Sequence, residues 1–195
     1  MKERKAMNEQ QVLTFVRRLR SAFYAFERIP IPTIAALDGS ALGGGLELAL
    51  CCDMRVGSEH CVVGLPETRI AIIPGAGGTQ RLPRLIGSSR AKDLIMTGRR
   101  LKAYEAYEYG LLDRYTHQGK KALQEALEMA HLITQGGPLA LEMAKEAIDK
   151  GRDCITMKEA LQVEDDCYAK VVPTKDRLEA LQAFSEKRTP IFKGE

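Results

Sequence analysis

The sequence predicts an α/β protein in which a β/α half is followed by a helical half, with the division between residues 119 and 120. Two observations predict it. In the first half, two short apolar stretches each run into a glycine-rich loop and then into a helix-forming segment. In the second half, successive amphipathic segments are separated only by Gly or Pro, with no extended run between them.

The opening segment carries Val12, Phe15, Val16, Leu19, Phe23 and Phe26 at helical spacing, which reads as a core helix. Pro30 and Pro32 break that pattern, and Ile31 to Leu37, rich in β-branched residues, reads as a short buried strand. Three glycines follow, Gly43 to Gly45, and then LELALCC, the composition of a buried helix starting near Gly45 or Leu46. Asp53 to Val56 begins a further extended segment, and Cys61 to Leu65 another, ended by Pro66. A second glycine loop, Gly75 to Gly78, leads into a helix around Thr79 to Leu85. From Ser88 the segments SSRAKDLIMTG and AYEAYEYG read as helices and LLDRY as a strand. KKALQEALEMAHLI, PLALEMAKEAIDK, MKEALQVEDDCYAKV and TKDRLEALQAFSEKR complete the helical half. Thr174, after Pro173, suits the N-cap of the last helix, with Asp176 in its first turn.

Composition narrows the function classes. A chain of 195 residues with 45% hydrophobic content can bury a sizeable core, which argues against disorder. The net charge of +3 is too small to argue for nucleic acid as a partner without a clustered basic patch. Five cysteines, at positions 51, 52, 61, 154 and 167, form no CxxC pair, so neither a disulfide framework nor a zinc site is suggested. The thiols read as small buried residues in a reducing compartment. His60, His117 and His131 stand in no metal-ligand spacing. No apolar run reaches the length of a membrane span, and the expectation is a soluble protein without a membrane partner.

The two glycine loops carry the chemistry. GxGxxG fails at both, since position 48 is Leu and position 80 is Gln, and no GK[ST] follows either loop. Ser40 lies in D-G-S-A-L and not in a GxSxG elbow. What remains is a strand, a glycine run and a helix start, whose free N–H groups can meet a developing oxyanion. Glu47, within the first turn, would lie beside such a donor, and Glu67 follows a second strand. Two carboxylates near an oxyanion hole suit proton transfer next to a carbonyl, including addition of water across a double bond conjugated to a thioester. The alternative for each Glu is an acid that merely complements a helix dipole.

These residues carry a resemblance. IPTIAALDGSALGGGLELALCCDMRV, GLPETRIAIIPGAGGTQRLPRLIG and TGRRLKAYEAYEYGLLDR, with the C-terminal PTKDRLEALQAFSEKRTPIFKGE, resemble the crotonase superfamily of enoyl-CoA hydratases and isomerases over essentially the whole chain. Within it, LPETRIAIIPGAGGTQRLPR and DDCYAKVVPTKDRLEAL are most similar to the mitochondrial AU-binding, methylglutaconyl-CoA hydratase type. The resemblance implies a ClpP-like spiral of ββα units, incomplete at its N-terminus (residues 1–119), and a C-terminal helical trimerisation region (residues 120–195).

It also implies site roles. Gly44 matches the oxyanion-hole donor for the thioester oxygen, and Gly43 belongs to the same substrate-binding stretch. Glu47 and Glu67 match the two catalytic glutamates, expected to activate water and to deliver the α-proton, respectively. Isomerases of the superfamily commonly lack one of them, so the pair favours a hydratase acting in fatty acid β-oxidation or branched-chain amino acid breakdown. Lys2 matches a lysine near the CoA adenine side. The second oxyanion donor of the family precedes the position of Met1, so the chain made alone is expected to be poorly active or unstable. Phe184, Lys187 and Arg188 match a helix that approaches the CoA.

The implied substrate is an acyl-CoA thioester, with no cofactor beyond the CoA that the substrate carries. The implied assembly is a homo-oligomer, a trimer or a dimer of trimers, in the mitochondrion. The other readings are a Δ3,Δ2-enoyl-CoA isomerase, an inactive truncated subunit, and an RNA-binding relative.

Overall fold

The computed structural model describes residues 6–195, so Lys2 lies outside the described residues. The described chain divides into two compact units. One holds residues up to Ile29 together with Thr33–Leu127, and the other holds Pro30–Pro32 and Glu128–Glu195. Helix α6 (Ala122–Ile133) runs across that division, so the units part inside a helix that the sequence assigns whole to the second half.

The first unit is built from paired strands in successive layers. Strand β1 (Ile34–Leu37) pairs in parallel with β3 (Met54–Gly57), which pairs in parallel with β6 (Arg114–Tyr115). Strand β2 (Ser40–Leu42) pairs in parallel with β4 (Val62–Gly64), and the two-residue β5 (Leu101–Lys102) adds antiparallel to β4. Chain order is therefore β1, β2 and helix α2 (Gly44–Ala49), then β3, β4, a 3-10 turn (Glu67–Ile70) and helix α3 (Gly78–Ile86). The second repeat has the two strands that the sequence suggests, and the first has two where the sequence suggests one. The missed strand, Ser-Ala-Leu between two glycines, is too short to show alternation, and only its neighbour β4 defines it.

Leu46, Val63, Leu65, Leu82, Leu94, Leu101 and Leu111 form the fully buried centre of this unit's core. Helix α4 (Ser88–Thr97) contributes Ala91 and Leu94, and helix α5 (Ala103–Glu108) contributes Ala103 and Ala106. A buried guanidinium ties the strands together. Arg55, 4% exposed, donates to the carbonyls of Leu111 and Cys52 and pairs with Asp113 at 3.3 Å.

Helix α1 (Glu9–Glu27) departs from expectation. It forms with an Asn8–Gln11 capping box, and its apolar face is the predicted one, but none of its residues is buried. Val12, Phe15, Val16, Leu19, Phe23 and Phe26 are all half-buried. The periodicity identifies the inward face correctly, but it carries no information on how much protein lies over that face.

In the second unit, α7 (Pro138–Arg152) packs on α8 (Met157–Val171), close enough that a Cβ on Gly151 would stand 3.8 Å from the Ala160 methyl. Glu146 bridges the two helices by accepting from Lys150 at 2.6 Å and Lys170 at 3.2 Å, and both contacts hold its pKa below the ordinary range. Helix α9 (Lys175–Glu186) begins at the predicted cap, with the Thr174 hydroxyl accepting from Arg177 N–H. The buried Asp176 accepts from the N–H groups of Lys193 and Gly194, which fastens the final residues to the start of α9.

Candidate active site

The β2–β4 register decides what stands next to the first glycine loop. Leu42 lies opposite Gly64, and Gly43 N–H extends the ladder by donating to Gly64 O at 3.0 Å. Three residues beyond Gly64 is Glu67, so its side chain arrives beside Gly43. A Cβ on Gly43 would stand 2.9 Å from Glu67 Oε1, and the backbone there has φ 56° and ψ −125°. Both conditions require glycine. The Glu67 turn is pinned to α4, since Thr68 Oγ1 donates to Ile95 O at 2.7 Å and Arg69 Nε to Thr97 O at 2.8 Å. Glu67 Oε2 is shielded from solvent.

Glycine 43 is also the N-cap of α2, and Glu47 N–H makes the first helical bond, to Gly43 O at 2.9 Å. The N–H groups of Gly44, Gly45 and Leu46 precede that bond and have no acceptor within the helix. Among the described residues, chain neighbours and the helix's own backbone aside, no atom lies within 4 Å of where a side chain would begin at Gly44 or Gly45. Gly43 and Gly44 thus stand at the start of α2 with Glu67 against Gly43, and Glu47 lies in the first turn of the same helix.

Glu47 is 3% exposed, and its carboxylate is gripped by the second glycine loop. Oε1 accepts from Ala76 N–H at 2.8 Å and Gly78 N–H at 2.9 Å. Gly78 opens α3, so Glu47 also caps that helix. The approach is close: a Cβ on Gly78 would stand 2.8 Å from Leu65 Cδ1 and 3.1 Å from Glu47 Cγ. Around this centre the thiols are inert, because burial pushes Cys51 up to about 11 and Cys61 to the same value.

Sequence reasoning missed the groups behind the second loop. Ala76 and Gly78 supply the donors to Glu47, while Arg20, Glu27 and Arg81 surround the loop's carbonyls. The available signal was PGAGG itself: a loop with little side chain has backbone groups free to bond elsewhere. Elsewhere in the chain, Arg188 is taken up by Glu179 and Glu186, and Phe184 is 86% exposed. Among the described residues no group of His, Cys, Asp and Glu could hold a metal ion, and no helix is long and apolar enough to cross a membrane.

Stacked ββα repeats, each running into a glycine loop and a helix start, define a crotonase-type fold. The chain belongs to the enoyl-CoA hydratase/isomerase family, which it matches over residues 1–195. A crystal structure of the enoyl-CoA hydratase from Bacillus anthracis superposes with a TM-score of 0.96 at 52% identity, covering 100% of this chain and 75% of that one. Among curated relatives, the probable enoyl-CoA hydratase 2, mitochondrial, of Arabidopsis thaliana is 53% identical over 194 residues. The methylglutaconyl-CoA hydratase, mitochondrial, of Homo sapiens is 48% identical over 198 residues. The whole chain is matched in both, and it spans 64% of the length of the first and 58% of the second.

Proposed function

We propose that the protein is an enoyl-CoA hydratase, adding water across the 2,3 double bond of an enoyl-CoA thioester to give the 3-hydroxyacyl thioester. The observation that carries this reading is the placement of Glu67 against the Gly43 cap of α2, with the buried Glu47 in that helix's first turn. In the reaction the thioester oxygen gains negative charge as the nucleophile adds to the β-carbon, and Gly44 N–H is the donor that meets it. Glu47 takes a proton from water while the water oxygen bonds to the β-carbon. Glu67, protonated at the outset, delivers its proton to the α-carbon, and passage of the proton taken up by Glu47 to Glu67 restores both carboxyls, so hydrogen and hydroxyl are both accounted for. With Oε1 of Glu47 engaged by two N–H groups, Oε2 is the oxygen left for that water.

No resident cofactor enters this scheme, because the CoA belongs to the substrate. The reading extends to a mitochondrial enzyme, following the names of the Arabidopsis and human relatives. The chemistry fits fatty acid β-oxidation or branched-chain amino acid breakdown, and the assembly is a trimer or a dimer of trimers.

The test is the loss of enoyl-thioester absorbance with crotonyl-CoA, with the product identified as the 3-hydroxyacyl thioester. Glu67→Gln is expected to abolish turnover while the circular dichroism spectrum and melting temperature stay close to those of the parent. A product with a shifted double bond and no added water would overturn the reading in favour of an isomerase. Full turnover in Glu67→Gln would remove Glu67 from the chemistry.

A further inference from the structure

The grip of the second glycine loop on Glu47 is itself held from behind. The loop Gly75–Gly78 contains three glycines in four residues and has little intrinsic rigidity. On its far side, Arg20 of α1 donates from Nε at 3.1 Å and from Nη2 at 3.0 Å to Gly75 O. That carbonyl belongs to the same peptide group as the Ala76 N–H that donates to Glu47. One peptide therefore carries a guanidinium on its oxygen and a carboxylate on its hydrogen. The next peptide is held by Arg81 of α3, whose Nη1 donates to Ala76 O at 3.1 Å. Arg81 is held in turn by Glu27 of α1 in a two-point pair, Nε–Oε1 at 2.9 Å and Nη2–Oε2 at 2.7 Å. Val16 of α1 closes the contact, with Cγ1 only 3.0 Å from where a Gly75 side chain would begin.

Resting on the hydratase reading, we propose that Arg20 and Arg81 are positioning residues for Glu47. They fasten two successive peptides of the loop so that the N–H groups of Ala76 and Gly78 stay aimed at Glu47 Oε1 and Oε2 stays turned to the water. Neither arginine touches the substrate in this scheme. Charge at both ends of a peptide strengthens its hydrogen bonds, and the forked geometry fixes the carbonyl's direction. Misplacing a reacting group by about 1 Å can cost on the order of a hundredfold in rate. Helix α1, which buries none of its residues fully, thereby has a catalytic consequence: it braces the base.

The experiment combines kinetics with amide hydrogen exchange on the full chain. Arg20 is exposed, so Arg20→Met keeps its stem and is expected to fold normally. Arg81→Met strands Glu27, so the double variant Glu27→Gln/Arg81→Met is made beside it. Each is expected to lower kcat by about ten- to a hundredfold with KM little changed. The Ala76 and Gly78 amides should lose exchange protection while those of β3 and β4 keep theirs. Arg20→Lys, which can still reach Gly75 O, should recover much of the loss. Unchanged kcat, or unchanged protection at Ala76 and Gly78, in Arg20→Met and in the double variant would overturn the proposal. A fall in KM-dependent binding with kcat intact would do so as well. Should the parent chain hydrate no enoyl thioester, the hydratase reading fails separately, and exchange at Ala76 and Gly78 alone decides whether the arginines hold the loop.

Discussion

Residue 43 shows how one position joins backbone conformation to chemistry. Its φ of 56° admits glycine readily, and the Glu67 carboxylate occupies the place where a side chain would start, 2.9 Å from a Cβ. Gly43→Ala should therefore cost about 1–3 kcal/mol of stability through backbone strain and displace Glu67 from the turn. The expected result is a lowered melting temperature together with a loss of turnover larger than the loss of folded protein. Activity per folded molecule equal to that of the parent would show that Glu67 does not depend on Gly43. Candidate residues at this scale were legible because their types are unusual in context: a glycine triplet, and a Glu among leucines. What Glu47 bonds to was not legible, since Ala76 and Gly78 are about thirty positions away and contribute only backbone atoms.

At the scale of elements, helix starts and strand ends do much of the positioning. Helix α6 begins under a distant carboxylate, with Ala122 N–H donating to Asp38 Oδ1 at 2.6 Å, and Asp38 also stands at the end of β1. The same residue accepts through its carbonyl from Ser58 Oγ at 2.9 Å, which joins the two parallel repeats. Asp38→Ala is expected to destabilise the protein by about 1 kcal/mol, the usual cost of losing a helix cap, as measured by urea denaturation. No change in midpoint would mean that water replaces the carboxylate without cost. The helices of the second unit were readable from their period, and the last of them from its cap, Thr174, whereas the Thr156 cap of α8 went unread. Strands β2 and β5 were not, because two or three residues cannot display a period and exist as strands only through β4. Helix α1 was readable in type and face but not in depth.

On the scale of the whole molecule, the helices of the second unit present apolar side chains that its own packing leaves exposed. Ile148 of α7, Leu161 and Tyr168 of α8, and Leu178, Leu181 and Phe184 of α9 are among them. Six large apolar residues on three successive helices are more than scattered surface positions, and such surfaces mark association sites. They support the proposed trimer or dimer of trimers. Light scattering on the purified protein should give three or six times the chain mass, and a monomer at all concentrations tested would refute the assembly. The amino-acid sequence by itself pointed to the α/β character and the helical second half, and through the resemblance of its motifs to the family and to two candidate glutamates. Those features are written in local stretches of sequence, which survive without a partner. The tertiary structure alone decided that β2 and β4 lie in register, so that Glu67 meets Gly43. It alone decided that Glu47 is held by the second glycine loop and that α1 braces that loop. Each of these rests on backbone groups from distant segments, and a backbone N–H or C=O looks the same at every position of a sequence until folding sets it against its partner.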